Sequence, residues 1–113
     1  MSDSDPIVLP DDAEPQALLS LVVAPAVEDA LVDWLLEREE VTGFTSFPIN
    51  GHGASIHSMT AAERVSGHRR MILFQSYMPQ AQACALLGEL KAAFKGSGMH
   101  YWMTRLIAGG HLE

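Results

Sequence analysis

Residues 70–79 read RMILFQSYMP. Side chains along an extended chain alternate between two faces, and here both are apolar: Met71, Leu73 and Tyr77 on one, Ile72, Phe74 and Met78 on the other. A half-wet strand would alternate apolar with polar residues, so this one is expected to be covered on both sides. The stretch 99–107 repeats the pattern, with Met99, Tyr101 and Met103 against Trp102 and Leu106.

Between these strands Pro79 punctuates, and Ala83, Leu86, Leu87, Leu90 and Phe94 define an amphipathic helix ending at Gly96. Upstream, Ala17 to Ala24 is almost continuously apolar and runs into Pro25, the pattern of a buried strand passing straight into a helix. Ala24 offers no side-chain acceptor as an N-cap. From Pro25 to Glu40, Val27, Ala30, Leu31, Trp34 and Leu35 share one helical face, while Glu28, Asp29, Asp33, Glu37, Glu39 and Glu40 take the wet one. Gly43 opens a second strand with Phe44, Thr45, Phe47 and Ile49, in which Pro48 implies an edge position or a bulge. Residues 50–67 read as a long loop with a helical turn near Thr60 to Val65, where Thr60 and Glu63 match a capping box.

The resulting order, βαββαβ, is the split βαβ pattern: an α+β, ferredoxin-like domain over residues 17–113, with a four-stranded antiparallel sheet and both helices on one face. The other face, also apolar, calls for a second copy of the chain, so a homo-oligomer is expected. Residues 1–16 hold three prolines and five acids and are expected to form a mobile acidic tail.

Composition narrows the function. The chain carries 14 acids and 7 bases, a formal charge of -7. With five of the acids in the tail, the rest is close to neutral and offers no basic cluster beyond Arg69 and Arg70, which argues against nucleic acid. The single Cys84 excludes an internal disulfide and a cysteine-based zinc site, and it reads as a buried or half-buried small hydrophobe on the second helix. The longest apolar run, Leu18 to Pro25, is far short of a bilayer span. A soluble, cytoplasmic protein without membrane insertion is expected.

The element order and local motifs resemble the PII-like superfamily. GFTSFPINGHG, Gly43 to Gly53, is similar to the second strand and glycine-bounded turn that lead into the T-loop of PII proteins. Lys95-Gly96-Ser97-Gly98 occupies the place of their phosphate-contacting B-loop, with Met99 where PII proteins place a lysine. The span Leu18 to Leu112, including Arg69-Arg70 and Gly98-Met99-His100-Tyr101-Trp102, is similar to a family of uncharacterised PII-like proteins associated with heavy-metal efflux systems. The resemblance implies a trimeric regulator or sensor rather than an enzyme.

Four kinds of site follow. An anionic effector at a subunit boundary would use the backbone of Gly51, Gly53, Gly96, Ser97 and Gly98, where glycine permits close approach, together with the guanidinium groups of Arg69 and Arg70. A metal site would use His52, His57 and His100, with His68 or His111 as further imidazoles and Met59, Met71, Met99 and Met103 as soft donors. Set against these, the glycines could simply shape turns and the methionines fill the core. A protein partner, such as a transporter, would dock on loop 50–67 through Ile56, Met59 and Val65. Catalysis finds no support, since Cys84 has no neighbouring base. A purely structural assembly is the remaining alternative; no cofactor is indicated.

Overall fold

The computed structural model describes residues 4–9, 14–53 and 68–112. Its elements are β1 (Gln16–Val23), a short 3-10 turn (Pro25–Val27), α1 (Glu28–Leu36), β2 (Thr45–Gly51), β3 (Arg69–Pro79), α2 (Gln80–Ala93) and β4 (His100–Leu106). All strand pairs are antiparallel in the order β2-β3-β1-β4, the ferredoxin-like arrangement expected. Pro48 sits on the edge strand β2, where a missing N–H costs no ladder bond. The helical turn expected near Thr60 to Val65 lies outside the described residues, as does part of the tail.

One apolar cluster shows that both helices cover the same face. Leu31 and Leu35 of α1 and Ala83, Leu86 and Leu90 of α2 pack with Leu19, Leu21, Val23, Phe74 and Met78 of the sheet. Each large aliphatic or aromatic side chain buried there contributes about 1.5–3 kcal/mol. Arg38 joins the helices across their outer side. Its guanidinium lies 3.8 Å from the centre of the Trp34 ring, and Trp34 meets Phe94 edge-on at 5.9 Å. Its buried Nε stands 3.8 Å from a Glu89 carboxylate oxygen, an ion pair too long to be a hydrogen bond.

Four expectations are corrected. Ala30 is exposed and Val32 packs against the core instead, because the helical face centres on Leu31 and Ala30 lies about 100° away on the solvent side. α1 ends at Leu36, short of Glu40. Cys84 is exposed, one position off the stripe of Ala83, Leu86 and Leu90. β1 starts at Gln16, one residue before the expected strand, and the Pro15 carbonyl accepts a 2.8 Å hydrogen bond from the Gln80 N–H.

Among the described residues no helix lies over the opposite face of the sheet. Register places Phe47 and Ile49 of β2, Met71, Leu73 and Tyr77 of β3, Leu18 and Val22 of β1 and Trp102 and Leu106 of β4 together there. Val22, Met71 and Leu73 shield one another with Ile49, whereas Phe47, Tyr77 and Trp102 stay 40%, 45% and 46% exposed. At its middle the buried Ser20 hydroxyl accepts a 3.2 Å hydrogen bond from the Gln75 amide.

Candidate functional site

An open concavity lies where α2 ends and β4 begins. The last helical turn closes with the Phe94 N–H donating to the Leu90 carbonyl at 2.8 Å. The chain then reverses through Gly96 and Gly98, whose φ of +82° and +77° a side-chain-bearing residue adopts only under strain. The Ser97 N–H donates to the Phe94 carbonyl, and the Ser97 hydroxyl accepts from the Met99 N–H at 3.3 Å, so Ser97 is engaged in holding the turn. The open cleft beside it measures about 410 Å³. It is lined by Leu87, Leu90, Phe94, Met99 and Tyr101, by Gly88, Gly96 and Gly98, and by the cationic Lys91 and Lys95. With two ammonium groups, two aromatic rings and, among the described residues, no carboxylate in the lining, the cleft suits a flat or apolar body carrying negative charge.

Gly51, Gly53, Arg69 and Arg70 stand elsewhere. Gly51 pairs with Arg69 at the end of β2, while Gly98 precedes β4 on the opposite edge. Both lie at the same end of the sheet, yet three strand spacings, roughly 14 Å, separate the two edges. Arg69 and Arg70 are successive strand residues and leave the sheet on opposite faces, Arg69 with the open-face set and Arg70 with the helix-side set. One protomer therefore does not gather the seven expected effector residues into one pocket.

The histidines divide similarly. His52 and His68 face each other one register step past the last β2–β3 pair, with ring centres 6.0 Å apart and planes tilted by 48°. His100 lies opposite Val22 on β4, at the far edge, and His111 is exposed near the carboxyl end. Met99 and Met103 pack against the helix-side core and Met71 is buried on the open face, so their sulfurs serve packing. Among the described residues no group of three or more His, Cys, Asp or Glu side chains is placed to hold a metal. His57 and Met59, with the partner-docking candidates Ile56 and Val65, lie outside the described residues. No helix among the described residues is long and apolar enough to cross a membrane.

A family model described as "Protein of unknown function (DUF3240)" matches residues 13–113. The chain belongs to the DUF3240 family. A solved DUF3240 protein from Shewanella baltica OS155 shares 28% identity, with 87% of this chain and 97% of that one covered at a TM-score of 0.70. The chain has the same fold as CPII, a nitrogen regulatory PII-like protein from Thiomonas intermedia K12 bound to ADP, AMP and bicarbonate: 19% identity, 87% and 97% coverage, TM-score 0.63. It also shares that fold with CutA from Synechococcus elongatus PCC7942, at 14% identity, 94% and 87% coverage and a TM-score of 0.67. No curated protein matches it in sequence.

Sequence reasoning placed Lys95 in the turn before β4 of this DUF3240 protein but missed Lys91 and Tyr101 as lining of the cleft. A signal was present for Lys91, a cation in the last turn of the helix that leads into Gly96.

Proposed function

We propose that this DUF3240 chain is a PII-like regulatory protein that binds a small anionic effector, with an adenine nucleotide as the leading class, and has no catalytic role. The observation that carries the reading is the cleft itself, in which Lys91 and Lys95 flank Phe94 and Tyr101 above a glycine-built turn. The ammonium groups would meet phosphate oxygens, the rings a base, and the backbone of Gly96 and Gly98 would allow close approach. That the fold neighbour CPII is bound to ADP, AMP and bicarbonate supports the choice of nucleotide.

The reading extends to assembly. The uncovered apolar face would pack against further copies, as a homotrimer, and the edge carrying Gly51, Gly53 and Arg69 of one copy would approach the cleft of its neighbour. That arrangement accounts for the expected effector residues sitting on opposite edges of one protomer. An effector held there would favour one state of loop 50–67 only through differential affinity for its states, and the loop would then engage a protein partner such as a transporter in the cytoplasm. Titrating ADP into the full chain by calorimetry should give saturable binding that weakens at least tenfold when Lys91→Ala and Lys95→Ala are combined. Unchanged affinity in the double variant would remove the cleft from the account.

A second reading, service beside heavy-metal efflux, is favoured by the approach of His52 to His68. It is tested by metal sensitivity of the source cells with and without the gene.

A further inference from the structure

The first fifteen residues hold five acids, no Lys or Arg, and one run of large aliphatic residues, Ile7-Val8-Leu9, set between Pro6 and Pro10 in the sequence. Those three side chains are 69%, 88% and 59% exposed. Proline fixes its own φ and biases the residue before it toward extended backbone, so a run flanked in this way is disposed to stay extended. Extended segments flanked by proline are bound by grooves lined with aromatic rings. The cleft at the end of α2 has that character. Phe94 and Tyr101 line it together with Leu87 and Leu90, and its charge, from Lys91 and Lys95, is opposite in sign to that of the amino-terminal segment.

The attachment of the segment leads toward the cleft. The Pro15 carbonyl accepts a 2.8 Å hydrogen bond from the N–H of Gln80, the first residue of α2, which pins the end of the segment to the start of that helix. Lys91 lies about 16 Å further along the helix at 1.5 Å per residue. Leu9 stands six residues before Pro15, and six extended residues span up to about 20 Å. Residues 10–13 lie outside the described residues and count here as chain length alone. Cys84, Gly88, Lys91 and Lys95 recur every three or four residues, so the face of α2 that borders the cleft continues back toward Gln80.

We propose that Pro6 to Leu9 dock in the cleft of their own chain, with Ile7, Val8 and Leu9 against its apolar lining and the surrounding acids drawn to Lys91 and Lys95. Docking itself needs no effector. Its consequence rests on the effector reading above: segment and anionic effector compete for one cleft, and apparent affinity for the effector falls with the fraction of chains whose cleft is open.

Cys84 is the chain's single cysteine and is exposed one helical turn before the cleft, so a nitroxide attached to it reports what approaches that face of α2. In the full chain the amide NMR signals of Ile7, Val8 and Leu9 are expected to lose most of their intensity beside the oxidised label and to regain it on reduction. Lys91→Glu combined with Lys95→Glu, both exposed positions, should restore most of that intensity with the label still oxidised. Unbroadened signals in the parent chain would overturn the proposal, as would equal broadening in the charge-reversed variant, which tethering alone explains. Saturating ADP should release the segment, and Ile7→Ser, Val8→Ser and Leu9→Ser combined should tighten ADP binding at least threefold. ADP that binds while the segment stays broadened would overturn the proposal as well. If ADP does not bind the parent chain, the effector reading fails on its own, and the response to charge reversal alone decides the docking.

Discussion

The two faces of the sheet are built from nearly the same residue types and end in different circumstances. On the helix side, Phe74, Leu19 and Leu21 are 1–2% exposed and locked into a cluster shared with both helices. On the other side, Leu73 and Met71 reach 8%, but only by leaning on their neighbours, while Phe47, Tyr77 and Trp102 remain 40–46% exposed. Apolar composition thus says that a face will be covered, and chain topology says whether the chain covers it itself. The two crossovers place both helices on one side, so neither helix can cover the other side.

This contrast yields predictions of decreasing size. Phe74→Ala should lower stability by about 3–5 kcal/mol, measured by urea unfolding, because it opens a cavity where the core cannot collapse. If a change on the open face, such as Leu73→Ala, cost the protomer as much, the distinction between the faces would fail. Trp102→Asp should leave the far-ultraviolet dichroism of the fold intact and shift the assembly to monomers at micromolar concentration, since a carboxylate buried at an apolar interface is costly without a partner. An unchanged sedimentation profile would place the interface elsewhere. The smallest effect is expected outside both faces: Arg38→Ala should cost about 1 kcal/mol, chiefly through the stacked Trp34, because an ion pair to the half-exposed Glu89 contributes little. Replacing Glu89 by Gln should cost less than that, and the reverse order would reassign the weight to the ion pair.

The fold was legible because its determinants are local or periodic. Runs such as Ala17 to Val23 and residues 70–79, the stripe Ala83-Leu86-Leu90 and the single Pro48 each identify an element, and the βαββαβ order then leaves few topologies. Ala30 and Cys84 were misplaced because periodicity gives the centre of a helical stripe better than its rim, where a rotation of part of a turn separates buried from wet. The candidate site was legible only in fragments. Glycines 96 and 98 mark the turn, but the cleft's charge comes from Lys91 in the last turn of the preceding helix and Lys95 just beyond it. The meeting of His52 with His68 depends on the β2–β3 register, which the sequence between them does not state. Gly51 and Gly98 were grouped by analogy of motif, and the strand order puts them on opposite edges.

The central claim is that the uncovered face is an interface between copies of this chain, and sedimentation equilibrium of the full chain at micromolar concentration tests it most directly. The account predicts a single species of three times the 12.3 kDa protomer mass. A protomer-mass species across the whole concentration range would contradict it, and with it the reading that an effector site is completed by a neighbouring subunit.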